Sequence, residues 1–287
     1  MDDFKDNVNS NPPPPISSDA PIGIFDSGVG GLSVLRHIRA QMPQENLIYF
    51  ADSDFAPYGD KPETLVAARA LVVARFLVQR GAKALVVACN TATIAAIKQL
   101  RECHPNMPIV GVEPGLKPAA ALTRNGKIGV LATDGTLAGE KFLLLREHIS
   151  GSRKVEFMLQ GCTGLANQIE LGELDSSVTV AMLERYIAPL IDQGADTLVL
   201  GCTHYPFVQA AIERIVKRLS TQPVTLIDTG EAVARQLARL LGAAGVARRA
   251  TTPPHLYGYT SADSGALATA FAGLLALHPQ INEVKIS

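Results

Sequence analysis

The sequence predicts an α/β protein of two pseudo-symmetric, three-layer domains with largely parallel sheets and a site in the cleft between them. Three observations lead there. From Pro21 onward, short Val/Ile/Leu runs alternate with helical patterns. Gly81-Ala-Lys-Ala-Leu-Val-Val-Ala-Cys89-Asn-Thr91 and Gly194-Ala-Asp-Thr-Leu-Val-Leu-Gly-Cys202-Thr-His204 are near-copies, each a buried-strand pattern ending on a thiol followed by two polar residues. Ile22-Gly-Ile-Phe-Asp-Ser-Gly28 resembles Ile128-Gly-Val-Leu-Ala-Thr-Asp-Gly135, and in each half this strand and turn precede the cysteine strand.

The elements follow in order. Residues 1–20 are polar, contain Asn11-Pro-Pro-Pro-Pro15, and read as a disordered or polyproline II extension outside the core. Strands are expected at Ile22–Asp26, Leu47–Ala51, Ala84–Ala88, Ile109–Val112, Lys127–Ala132, Val155–Leu159, Thr197–Gly201, Val224–Ile227 and His255–Tyr259. Several are apolar at consecutive positions, as in strands covered on both faces. Pro62 opens a helix with Leu65, Ala68, Leu71, Val72 and Phe76 in helical spacing, and Gly81 closes it. Asp175-Ser-Ser177 caps a second long helix closed by Gly194, with a kink expected at Pro189. The expected division is 21–113 with 226–287 as a discontinuous first domain and 114–225 as the second.

At 287 residues and 47% apolar content, the chain can bury a full core without disulfides. A net charge of −1 without a basic stretch argues against nucleic acid as partner. Met1-Asp-Asp-Phe-Lys-Asp6 lacks the apolar core of a signal peptide, and charges such as Arg75, Arg80 and Lys83 interrupt the best apolar stretch, so no membrane span is expected. The cysteines Cys89, Cys103, Cys162 and Cys202 form no CxxC pair and read as reduced cytoplasmic thiols, not a disulfide framework or a metal site. Cys103 and Cys162 read as small core hydrophobes.

Cys89 and Cys202 are the candidate chemical groups. A thiol at a strand end before a helix start lies near free backbone N–H groups, which favour thiolate. Two such thiols facing one carbon would allow proton transfer on both of its faces. Asp26-Ser-Gly-Val-Gly-Gly31 fits neither a Walker loop nor the dinucleotide spacing, because Ser33 stands where the last glycine would be. Its glycines would let the chain approach a ligand closely. Asp26 reads either as a helix cap or as a group that holds an ammonium or assists a thiol. Tyr58 and the Gly59 amide could bind a carboxylate; the alternative is an ordinary turn. His204 can share a proton with Cys202 or cap a helix. Glu170 alone reads as a solvated helix residue. No lysine stands out as a cofactor anchor, and no cofactor is expected.

Together these segments resemble a known family. Gly23-Ile-Phe-Asp-Ser-Gly-Val-Gly-Gly-Leu32, Tyr49-Phe-Ala-Asp-Ser53 with Pro57-Tyr-Gly59, Ala88-Cys-Asn-Thr-Ala-Thr93, Gly111-Val-Glu-Pro-Gly115 and Leu200-Gly-Cys-Thr-His-Tyr-Pro206 resemble glutamate racemases, over Pro21 to the C-terminus. The resemblance implies a cofactor-independent isomerase that interconverts L- and D-glutamate and supplies D-glutamate for peptidoglycan. It implies that Cys89 deprotonates D-glutamate and Cys202 L-glutamate, assisted by Asp26, Glu170 and His204. It implies substrate contacts from Asp26, Ser27, Tyr58, Gly59, Asn90, Thr91, Thr203 and His204, and by analogy from the turn at Thr133. It also admits a homodimer, although no stretch marks an interface. One departure stands out. Where the family often reads Cys-Pro-x-Phe-Val-Pro, this chain has Cys162-Thr-Gly-Leu-Ala-Asn-Gln168, with the spacing to Glu170 kept. Racemases of aspartate or hydantoins share the thiol pair, and a cysteine-nucleophile hydrolase is the rival of another class.

Overall fold

A computed structural model describes residues 17–286. Among the described residues there are ten strands: β1 Ile22–Asp26, β2 Leu47–Ala51, β3 Ala84–Val87, β4 Ile109–Gly111, β5 Lys127–Ala132, β6 Glu156–Gly161, β7 Thr197–Leu200, β8 Thr225–Ile227, β9 Leu256–Thr260 and β10 Gln280–Glu283. They form two sheets, ordered β10-β9-β2-β1-β3-β4 and β6-β5-β7-β8. Every pairing is parallel. The run β2-β1-β3-β4 repeats the order β6-β5-β7-β8, so the duplication seen in sequence is a duplicated sheet core.

The near-copied segments have a local cause. Helix Glu63–Gln79 ends with Gly81 at φ +81°, Gly81 N–H on Val78 O (2.9 Å) and Ala82 N–H on Leu77 O (3.1 Å). Helix Ser177–Asp192 ends the same way, with Gly194 at φ +90°, its N–H on Ile191 O (2.8 Å) and Ala195 N–H on Leu190 O (3.0 Å). A left-handed glycine satisfies the last carbonyls and turns the chain directly into β3 or β7. The second helix starts as expected on Ser176, whose hydroxyl accepts the Thr179 N–H (3.3 Å). It runs through Pro189 without interruption.

Alternation along the strands sorts each sheet into two packed faces. Ile22, Ile24, Tyr49 and Val86 face one core of the first sheet; Phe25, Ile48, Leu85 and Val87 face the other. Ile128, Val130 and Val199 face one core of the second sheet; Leu131, Leu198 and Leu200 face the other. Helices cover both faces, giving three layers to each sheet. Burying a large aliphatic side chain contributes about 1.5–3 kcal/mol, so the strands need no disulfide to hold them.

Four expectations change. β8 pairs with β7, so the second unit extends past residue 225. β10 was not expected; it adds a parallel edge beside β9. Cys103 is exposed, because it ends helix Asn90–Cys103 instead of facing a core. Most of the expected extension, residues 1–16, lies outside the described residues, but residues 17–20 are fixed. Ser18 O accepts from Lys83 Nζ (2.5 Å), and Asp19 pairs with Arg248 Nε (3.0 Å) and takes Asn46 Nδ2 on its carbonyl (2.8 Å). Lys83 is itself fully buried against Glu45 (2.6 Å). Among the described residues, no helix is long and apolar enough to cross a membrane.

Candidate active site

Parallel strands deliver their C-terminal ends to one edge of a sheet. In the first sheet β1 and β3 are neighbours, so the Asp26–Gly31 turn lies beside Cys89. In the second, β5 and β7 are neighbours, so the Thr133–Gly135 turn lies beside Cys202. The two edges meet at one narrow cavity.

The cavity wall contains Ser27, Tyr58, Gly59, Cys89, Asn90 and Thr91 from the first unit. Thr133, Glu170, Cys202, Thr203 and His204 come from the second. Of the sequence candidates, only Asp26 is missing from the wall. It lies fully buried behind it, taking the Ser27 hydroxyl (2.9 Å) and Gly28 N–H (3.2 Å) on Oδ1 and the Thr203 hydroxyl (2.9 Å) on Oδ2. It therefore joins the two units and orients two wall residues. Burial raises its pKa, against the opposing pull of His204.

Cys89 caps helix Asn90–Cys103, with Sγ accepting the Ala92 N–H (3.5 Å) and Ser27 Oγ at 3.9 Å. The expected lowering of its pKa does not hold. Burial pushes the thiol up, Asp26 adds to this, and the Ala92 N–H and Ser27 hydroxyl offset only part. Cys202 is followed by Thr203, His204 and the short 3₁₀ turn Tyr205–Val208, so it caps no α-helix. Its partner is His204, whose Nδ1 lies 3.5 Å from Sγ and whose Nε2 lies 2.6 Å from Glu170 Oε1. Burial disfavours a charged imidazole there, but Cys202 and Glu170 outweigh it and hold the His204 pKa well above 6.5. Glu170 is correspondingly lowered: burial acts to raise it and the His204 hydrogen bond overcomes that. It is no solvated helix residue, since Oε1 also accepts the Val29 N–H (2.8 Å).

The glycines of the first turn have a reason other than a phosphate. A Cβ on Gly28 would stand 2.0 Å from Glu170 Oε1, and one on Gly30 would stand 2.3 Å from His204 Nδ1. Side chains of the second unit, not a ligand, fill the space that these glycines leave. The Tyr58 hydroxyl likewise does not face the cavity as a donor; it donates to Asp52 Oδ2 (2.7 Å). Asn90 is 4% exposed, and neither its amide nitrogen nor its oxygen has a partner in the protein. A buried amide left this way costs about 1–3 kcal/mol unless a ligand or water satisfies it. Thr91, Thr133 and Thr136 form a hydroxyl cluster across the two units at 3.0–3.4 Å.

The sequence reading missed Ala56, Pro57, Thr136, Ala166 and Asn167 on the wall. Ala166 and Asn167 stand four and three residues before Glu170 on the short helix Leu165–Glu170, so helical spacing places them on its face. Thr136 follows Thr133 by three residues at a helix start and was open to the same argument. Cys162 is a buried core residue, as expected, and burial pushes its thiol up to about 12.

Comparison with known proteins agrees with this architecture. The family model Asp/Glu/Hydantoin racemase matches residues 22–237. The glutamate racemase of Pseudomonas paraeruginosa is 51% identical over 222 residues, covering 77% of this chain and 82% of its own. The glutamate racemase isoform RacE1 of Bacillus anthracis superposes with a TM-score of 0.83 at 30% identity, over 93% of this chain and 98% of its own. The glutamate racemase of Francisella tularensis, solved with D-glutamate, gives a TM-score of 0.81 at 26% identity, over 93% of this chain and 98% of its own. The chain belongs to the Asp/Glu/Hydantoin racemase family and is an isomerase.

Proposed function

We propose that the chain interconverts L- and D-glutamate without a cofactor, with Cys89 and Cys202 as the two proton-transfer groups. The observation that carries this reading is the meeting of the two duplicated strand-end thiols in one cavity beside the unpartnered Asn90 amide. The names of the relatives support glutamate as substrate. One cysteine, as thiolate, removes the Cα proton; the other, as thiol, delivers a proton to the opposite face. The negative charge that develops on the substrate carboxylate falls near the Thr91 hydroxyl, the start of helix Asn90–Cys103 and His204. Asn90 offers an acceptor to an ammonium group and a donor to a carboxylate, which suits an amino-acid zwitterion. A substrate ammonium group placed near Cys89 would offset the burial that raises that thiol.

In this reading Cys202 serves the L enantiomer and Cys89 the D enantiomer, in the cytoplasm, with D-glutamate passing to peptidoglycan synthesis. Asp26, Glu170 and His204 assist. The two units are 21–113 with the C-terminal segment and 114–225 extended to include β8, and a homodimer is the assembly to look for by sedimentation. The test is purified protein with either enantiomer in heavy water and no added cofactor, followed by circular dichroism and mass spectrometry. Optical activity should decay from both sides, with deuterium at Cα of the product. Decay without deuterium, or no decay at all, refutes the proposal.

The Cys202–His204–Glu170 array favours one alternative, a thiol nucleophile of the hydrolase type. That chemistry would leave a covalent adduct on Cys202, detectable as added mass, whereas proton transfer leaves none.

A further inference from the structure

The loop that carries Tyr58 and Gly59 is held by groups that never reach the cavity. Asp52, the residue after β2, is fully buried. Its carboxylate receives a fork from Arg69: Nε on Oδ2 (2.8 Å) and Nη2 on Oδ1 (2.7 Å). The Tyr58 hydroxyl completes the set on Oδ2 (2.7 Å). The Asp52 N–H donates to Asp26 O (3.0 Å), which ties the same residue to the end of β1. Arg69, on helix Glu63–Gln79, has a side chain 15% exposed, and its Nη1 also reaches Ile286 O (2.8 Å). Its guanidinium stands 5.3 Å from the Phe55 ring, which meets Tyr58 edge-on at 5.9 Å. On its far side the loop is wedged against the second unit. A Cβ on Gly59 would lie 3.1 Å from Thr133 Cβ, and one on Gly135 would lie 2.5 Å from Gly59 O.

We infer that Asp52 and Arg69 are positioning residues that set the Tyr58–Gly59 wall, and that Tyr58 serves the substrate through its backbone and ring face, its hydroxyl being the anchor. The inference rests on the proposed glutamate chemistry, because it assigns the wall to one of the substrate carboxylates. A bidentate guanidinium–carboxylate pair is directional as well as strong, so it fixes a loop in a way that one hydrogen bond does not. Lysine keeps the charge but cannot form the fork. Asp52 and Arg69 therefore act on ground-state and transition-state binding alike, since neither touches the reacting carbon.

The test compares Tyr58→Phe, Arg69→Lys and the double variant with wild type, for both enantiomers. Each single change should raise KM about tenfold, as expected for a lost hydrogen bond to a charged group, with kcat held within about threefold. The double variant should raise KM no further than the larger single change, since both act through one carboxylate. A merely structural role would lower the melting temperature and the fraction of titratable thiols in the site while leaving KM alone, and that result overturns the inference. So do unmoved KM values, or effects that multiply. Tyr58→Phe removes a single oxygen, so it decides the matter if the Arg69 variant fails to fold. Inactive wild type overturns both this inference and the proposed function; active wild type with unmoved KM in the variants overturns the inference alone.

Discussion

Cys89 and Cys202 end equivalent strands of equivalent sheets, yet their neighbours differ in kind. Beside Cys89 stand a backbone N–H and the Ser27 hydroxyl, with Asp26 one hydrogen bond further back. Beside Cys202 stands an imidazole, itself held by Glu170. The first thiol has neighbours that can stabilise charge but cannot exchange a proton at neutral pH. The second has a neighbour that can do both. A duplicated fold thus places two thiols in equivalent positions, and the residues after each cysteine make them unequal. The difference follows from what comes after the strand: Asn90 starts an α-helix at once, whereas Thr203-His204 precede a 3₁₀ turn that aims the imidazole back at the thiol.

The largest expected effect that sharpens this contrast is His204→Asn. It should lower kcat/KM by about 10²–10⁴, the range of a lost acid–base partner. The two enantiomers have equal free energy, so kcat/KM must fall equally in both directions. The asymmetry appears instead in the Cα-deuterium isotope effect, which should rise more for L-glutamate, the substrate that the proposed mechanism assigns to Cys202. Equal isotope effects from both sides would break the comparison. Ser27→Ala is the counterpart on the Cys89 side and should be milder, about fivefold in kcat/KM for one neutral hydrogen bond. Its isotope effect should grow on the D-glutamate side; a loss as large as that of His204→Asn would mean the hydroxyl carries the proton itself.

The smallest effect concerns stability. His204 has a raised pKa, so the folded protein holds more protons than the unfolded chain above the ordinary imidazole value of 6.5. The stabilisation is complete below that value and is lost as pH rises through the raised one. Urea unfolding of wild type and His204→Asn should therefore show the wild-type advantage shrinking as pH rises above 6.5. An advantage that is constant or grows with pH would show that His204 is not the charged partner in the folded state.

Nine of the ten described strands were legible in the sequence, several of them as apolar runs, because a strand covered on both faces is apolar at nearly every position. β10 was not, since Gln280-Ile-Asn-Glu283 is a half-exposed edge with one apolar residue, held by its pairing to β9. The two thiols were legible from their repeated setting. Glu170 was legible only through family resemblance, as its value lies in reaching Val29 and His204 across the cleft. The Asp52–Arg69 fork spans 17 residues and a strand-to-helix turn, and no local pattern announces it. The raised pKa of Cys89 was illegible for a related reason. A helix start can be read from a sequence, but the depth of burial that opposes it depends on the other unit closing over the cavity.

The empty Cβ positions at Gly28 and Gly30 carry a consequence for inheritance and engineering. The space above each is occupied by Glu170 or His204, which belong to the other half of the chain. The glycine turn and the His–Glu pair are therefore one complementary unit written in three distant stretches of sequence. A chimera joining the first half of this chain to the second half of a relative should work only when both parents keep the same turn, because either half alone contains a mould without its cast.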